Sequence, residues 1–217
     1  MKYTPEIAGA IFDLDGTLLD SMKMWRTLGI RYLSSKGVSD TETITEEIRY
    51  LDLIPASEFM AKKYLPKFTG ETIYAEIREM LRVFYEEEVQ MKSGAIEYLN
   101  YLREHEIKMS VATAKDREFF MPALRRLGAD SFFEGYITNV EVGRGKHFPD
   151  IYDAACDLIG SPREKTYVYE DIFVGANTAK NAGYKVIGVY ESVAGQQERN
   201  DLMRVADYYV ERLDMLI

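Results

Sequence analysis

Thiols are nearly absent. The one cysteine of the 217 residues, Cys156, can form no internal disulfide. It lies in Asp-Ala-Ala-Cys-Asp-Leu-Ile, a helical pattern in which a thiol is buried filler rather than a nucleophile. Long apolar runs are absent as well. No stretch approaches the ~18 residues that span a bilayer. The N-terminus has no cationic segment followed by an apolar run of signal-peptide length. A reduced, cytoplasmic setting and no membrane partner are the expectation. Positive charge is short: 27 Lys and Arg against 36 Asp and Glu leave a net charge of −9. Nucleic acid is therefore not an expected partner, because it needs a basic face. The same deficit repels a phosphate-bearing ligand, so any such ligand needs local cations. The acidic run Glu86–Glu88 reads as a solvated helix face. Internal repeats and low-complexity tracts are missing too.

A hydrophobic content of 47% suffices for one sizeable core, or a core domain plus a smaller one. Ala8 to Phe12 is a short apolar run with the length and flanks of a buried strand. From Ser21 to about Glu88 the pattern is helical throughout. Helices are expected from Met22 to near Lys36-Gly37, over Thr43–Leu53, from Pro55 to a stop at Pro66, and over Thr72–Glu88. From Ser93-Gly94 strands and helices alternate. The strands are Ile107–Ala112, Gly135–Thr138, Tyr167–Tyr169, Lys185–Val189 and Tyr208–Val210. The helices are Ala95–Glu104, part of Asp116–Leu127 with a late start or kink at Pro122, Pro149–Ile159, Val174–Ala182 and Gln197–Val205. Alternation of this kind predicts an α/β fold, a Rossmann-like parallel sheet covered on both faces. The expected division is a core domain of residues 1–19 and 90–217 with an inserted all-helical domain of residues 20–89. Ligands bind beyond the carboxyl ends of strands in such sheets. The insertion leaves from that edge and is expected to act as a cap, hinged near Leu19–Ser21 and Val89–Gly94.

The chemistry-bearing residues fall at those strand ends. Asp13 and Asp15 follow the first strand and point to one side of an extended chain. Two acids there are costly unless a cation sits between them. Gly16 allows the sharp turn that follows, although Asp and Gly are also common at a plain strand exit. Thr113 directly follows the second strand, where its hydroxyl and the turn amides can donate to a phosphate oxygen. Lys146 lies in Gly-Arg-Gly-Lys-His-Phe-Pro-Asp, a loop ordered by glycines and by Pro149. An ammonium there would orient a nucleophile and neutralise phosphate charge. Glu170 and Asp171 are a second pair of acids at a strand end, suited with the first pair to magnesium's oxygen preference.

Four strand ends bearing this chemistry resemble the haloacid dehalogenase-like superfamily, in its phosphoglucomutase-like and phosphatase branch. Phe12-Asp13-Leu14-Asp15-Gly16-Thr17-Leu18 resembles the first motif, Thr113 the second, Lys146 with Pro149-Asp150 the third. Glu170-Asp171 with Gly175 and Ala182-Gly183 resembles the fourth. The resemblance implies Asp13 as nucleophile forming an aspartyl-phosphate, and Asp15 as general acid and then base. It implies Mg2+ held by Asp13, the backbone carbonyl of Asp15 and Asp171, with Glu170 as a direct or outer-shell ligand, and with Thr113 and Lys146 on the transferring group. Thr17, Ala114, Arg26 and His147 are the candidates for substrate binding. The second aspartate of the first motif favours phosphoryl transfer over carbon–halogen cleavage. Two departures stand out: His147 replaces the proline usual after the lysine, and Ile172 the serine usual after Glu-Asp. A magnesium-dependent phosphatase of small phosphorylated metabolites is the expectation, as monomer or homodimer. The alternatives are a sugar-phosphate mutase, a phosphonate hydrolase using a lysine among Lys36, Lys62, Lys63 and Lys67, and a catalytically silent binding module.

Overall fold

The computed structural model describes residues 7–39, 47–48 and 51–217. The chain forms two compact units, Met1–Ser21 with Val89–Ile217, and Met22–Glu88.

The first unit is built on a six-stranded, wholly parallel sheet. Its strands are β1 Gly9–Phe12, β2 Lys108–Thr113, β3 Gly135–Thr138, β4 Thr166–Glu170, β5 Lys185–Val189 and β6 Tyr208–Val210. The spatial order is β3-β2-β1-β4-β5-β6, so β1 lies between β2 and β4. Every residue of β1 is buried, as a strand covered on both faces requires. Between the strands run α4 Ala95–Glu104, α5 Arg117–Arg126, the short α6 Asn139–Val142, α7 Asp150–Ile159, α8 Phe173–Asn181 and α9 Gln196–Val205. Alternation along β1 sends Ile11 to one face, where it joins Ala112, Val168 and Val186 beneath Ile151, Tyr152 and Ala155 of α7, Ala176 and Ala179 of α8, and Leu202 of α9. Phe12 faces the other side. There it stacks on Tyr169 with centroids 4.2 Å apart and meets Tyr98 of α4 edge-on at 6.5 Å. Cys156 is buried in α7, its thiol directed at the Ser161 carbonyl.

The second unit contains α1 Met22–Ser35, α2 Leu53–Lys63 and α3 Gly70–Val83, followed by a π-helical turn, Phe84–Glu88. Among the described residues of this unit no strand occurs. Tyr32 of α1 donates to Glu76 of α3 at 2.5 Å, and Lys36 pairs with the same carboxylate at 2.8 Å. Trp25 near the start of α1 donates to the hydroxyl of buried Tyr85 at 2.8 Å. Most of the helix expected over Thr43–Leu53 lies outside the described residues.

Two boundaries differ from expectation for a local reason. Helix α2 starts two residues before Pro55, which sits in the first turn, where its missing N–H has no helical partner to lose. Pro122 neither delays nor ends α5, which runs unbroken from Arg117 to Arg126 around it. Phe119, Phe120, Ala123 and Leu124 are buried on both sides of the proline, and the Phe120 ring meets Tyr136 of β3 with centroids 5.6 Å apart.

Candidate active site

The acids of the first motif stand where β1 runs out. Asp13 continues the Ile11 side of the strand, and its N–H donates to the Tyr169 carbonyl at 3.0 Å. The parallel register sets Phe12 against Tyr169, so Asp13 and Glu170 end neighbouring strands on the same face. The chain then turns through Gly16, at φ +84°, a conformation that glycine adopts without strain. This turn closes on itself: Gly16 N–H donates to Leu19 at 2.9 Å, and the Leu14 carbonyl accepts from Leu18 and Leu19 at 2.8 Å each. Asp15, at the start of the turn, accepts from the Ser21 hydroxyl at 2.5 Å.

Asp13, Glu170 and Asp171 are all buried, and each offers a carboxylate oxygen within 4.8 Å of the others. Lys146 enters from the loop before α7. Its ammonium is bonded to Asp13 and, at 2.6 Å, to Glu170. Tyr152 of α7 donates to the same Glu170 oxygen at 2.7 Å. Burial opposes charge on Lys146, but the two carboxylates outweigh it and hold the ammonium above the ordinary lysine value. Burial also pushes Asp13 up to about 7, against the pull of Lys146 and with added repulsion from Glu170 and Asp15. Asp171 is raised too, by burial first and then by Asp13 and Glu170.

These shifts have one physical meaning. Three carboxylates share a buried space with a single lysine bonded into it, and negative charge is in excess. Glu170 Oε2 and Asp171 Oδ2 are buried without a hydrogen-bond donor. Carboxylate oxygens in that condition suit a divalent cation, and an all-oxygen donor set suits a hard one. The residues present therefore fit a divalent metal site.

Other expected residues are placed as follows. Thr113 is buried at the end of β2, its hydroxyl accepting from Lys115 N–H at 3.2 Å. Thr17 is fully buried in the turn. Ala114 and His147 are exposed on the loops after Thr113 and Lys146. Arg26 is half-buried on α1 of the helical unit. Asp15 carries a carboxylate outside the Asp13–Glu170–Asp171 group.

Several residues of this neighbourhood escaped the sequence reading. Lys115 is half-buried; burial pulls its ammonium down while Asp15 and Asp13 oppose that. Tyr152 lies among the buried apolar residues of α7, where nothing in the pattern marks its hydroxyl. Ser21 and Lys92 have no spacing that marks them. Gly175, which the fourth motif already included, is needed for space in the first turn of α8: a Cβ there would lie 2.6 Å from both the Glu170 carboxyl and the Tyr152 hydroxyl.

Comparison with known proteins agrees with this architecture. The sequence profile described as haloacid dehalogenase-like hydrolase matches residues 10–189. The chain is 30% identical over 183 residues to a validoxylamine A 7'-phosphate phosphatase of Streptomyces hygroscopicus subsp. limoneus, covering 83% of this chain and 84% of that protein. It is 26% identical over 184 residues to a phosphorylated carbohydrates phosphatase of Thermotoga maritima, covering 84% and 85%. A crystal structure described as a beta-phosphoglucomutase of Thermotoga maritima superposes with a TM-score of 0.84 at 25% identity, over 97% of each chain.

Proposed function

We propose that this chain, which belongs to the haloacid dehalogenase-like hydrolases, is a magnesium-dependent phosphatase that hydrolyses small phosphorylated metabolites through an aspartyl-phosphate on Asp13. The observation that carries the reading is the buried group Asp13, Glu170 and Asp171, with Lys146 bonded between the first two. Asp13 is the nucleophile: its carboxylate attacks phosphorus in line, and the bond to the leaving alcohol breaks. Asp15, oriented by Ser21, gives its proton to that alcohol and then takes one from the water that hydrolyses the acyl phosphate. Lys146 holds Asp13 in place and balances charge on the transferring group. The Thr113 hydroxyl, which accepts from Lys115 N–H, keeps its own hydrogen for a phosphate oxygen. A bound Mg2+, held by Asp13, Glu170 and Asp171 together with the backbone carbonyl of Asp15, supplies a positive charge that lets a phosphate approach the carboxylates.

Thr17 and Ala114 are assigned to the same phosphate pocket, and Arg26 and His147 to contacts with the rest of the substrate. The helical unit is assigned the part of a cap that selects the substrate. A cytoplasmic setting belongs to this reading; among the described residues no helix is long and apolar enough to cross a membrane.

The test is phosphate release from a panel of sugar phosphates, nucleotides and an aryl phosphate, with magnesium and with chelator. Magnesium-dependent release that Asp13→Asn abolishes supports the reading. No release from any member, or release that survives the substitution, refutes it. A second reading, sugar-phosphate mutase, is favoured by the likeness to the Thermotoga structure. It predicts isomerised sugar phosphate in place of free phosphate.

A further inference from the structure

Lys92 lies just after the chain returns to the sheet unit at Val89, between Met91 and Ser93. Its side chain is largely buried, and its ammonium has three acceptors. These are the Gly16 carbonyl at 2.6 Å, the Tyr190 carbonyl at 2.5 Å and Glu191 Oε2 at 3.0 Å. A lysine ammonium has three donors, so all are used. Its backbone N–H is tied to the same turn, donating to the Leu18 carbonyl at 2.8 Å. Glu191 is fixed in its turn, its other oxygen accepting from Ser192 Oγ at 3.0 Å and Val193 N–H at 3.1 Å. Tyr190 N–H is bonded to Val210 of β6 at 2.8 Å. One side chain thus binds the turn after β1 to the segment after β5, which the sheet itself does not bring into contact, since β4 separates β1 from β5.

The Gly16 carbonyl belongs to the residue that follows Asp15. Pinning it from one side, while Ser21 pins the Asp15 carboxyl from another, fixes the orientation of the acid. We infer that Lys92 is a positioning residue of the site, holding the Asp15-Gly16-Thr17 turn through the Gly16 carbonyl, with Glu191 as the counter-charge that aims it. The inference rests on the proposed phosphatase reading, in which Asp15 protonates the leaving group. It predicts a defect that depends on how much the leaving group needs that proton. The glycerol of glycerol phosphate is a poor leaving group as its alkoxide and needs it. The phenolate of p-nitrophenyl phosphate leaves without it.

The experiment compares kcat/KM for these two compounds, with magnesium, in the wild type, Lys92→Met and Glu191→Gln. This ratio reports the step in which the leaving group departs, not the later hydrolysis of the phosphoenzyme. Misplacing an acid by a fraction of its hydrogen-bond reach costs on the order of 10–100-fold. For Lys92→Met, a 10–100-fold loss on glycerol phosphate with a loss within about threefold on p-nitrophenyl phosphate is expected. Glu191→Gln, which leaves both carbonyl contacts of Lys92 in place, is expected to show the same selectivity at about threefold. Should Lys92→Met not fold, as judged by circular dichroism, Glu191→Gln carries the test alone. Equal losses on both compounds, or none, overturn the positioning role while leaving the phosphatase reading intact. Where the wild type hydrolyses neither compound, a sugar phosphate and an aryl phosphate that it does hydrolyse take their places; release from no member of the panel overturns both readings.

Discussion

Removing the charge of Asp13 should stabilise the protein when no metal is bound. The carboxyl ordinarily titrates near 3.8 and is held at about 7 in the folded chain, chiefly by burial. At ~1.4 kcal/mol per pH unit, the ionised form carries a penalty of about 4 kcal/mol. The sign follows from proton counts: between those two values the folded state binds more protons than the unfolded one, so stability falls as pH rises through that window. An asparagine in its place has no such charge, and the amide oxygen still accepts from Lys146, which keeps Glu170 as ionic partner. Burying the neutral amide takes back ~1–2 kcal/mol. Asp13→Asn should therefore gain about 2–3 kcal/mol in chelator near pH 8, a rise in Tm of roughly 5–10 °C for a protein of this size. Near pH 5 the advantage should shrink to about 1 kcal/mol or less, by the same ~1.4 kcal/mol per pH unit. Magnesium should then raise the Tm of the wild type more than that of the variant, since only the wild type brings the third carboxylate. The assay is a set of thermal melts at the two pH values, with chelator and with magnesium. A variant no more stable than the wild type in chelator near pH 8, or a gap that ignores pH, refutes the electrostatic account of the site.

Other substitutions probe the same group from different sides. Lys146→Met leaves Asp13 and Glu170 buried without their shared cation and should cost about 3–5 kcal/mol in chelator melts, with Asp13→Asn in the same chain recovering part of the loss. Gly175→Ala forces a methyl against Glu170 and Tyr152 and should lower stability by about 1–3 kcal/mol, read as a reduced urea midpoint. Ser21→Ala removes the donor to Asp15 and should lower kcat roughly tenfold with KM nearly unchanged; an equal change in KM would argue that Ser21 supports binding instead.

What the sequence made legible was local. Asp13 and Asp15 adjoin an apolar run, and Glu170 and Asp171 adjoin another, so strand ends and acids could be read in one glance along the chain. The sheet followed from alternation, because parallel strands covered on both faces leave a strong apolar signature. Lys146 was legible through its glycine-flanked loop. The partners that orient these groups were not. Tyr152 sits on an apolar helix face, and its hydroxyl reaches Glu170 only because α7 packs on the Ile11 side of the sheet. Lys92 is separated in sequence from Gly16 by the whole helical unit and from Tyr190 by most of the sheet unit. No spacing rule links three such segments. Pro122 misled for the opposite reason: a local rule against mid-helix proline gave way to apolar contacts on both sides of it.

A chain with a net charge of −9 that handles phosphate must place its cations with care. Three lysines from three separate segments stand around the turn and the acids. Lys146 is bonded to Asp13 and Glu170, and Lys92 to two carbonyls and Glu191. Lys115 follows Thr113 and lies under the influence of both Asp13 and Asp15. Neither of the first two lysines adds free positive charge, since each is matched by carboxylates it touches. The excess of the acid group is therefore left for a divalent ion to neutralise, and the burial that makes Asp13 costly without metal is the same burial that strengthens its hold on one. In this site the instability of the empty form and the affinity of the loaded form come from a single cause, so a substitution that relieves the first should weaken the second in proportion.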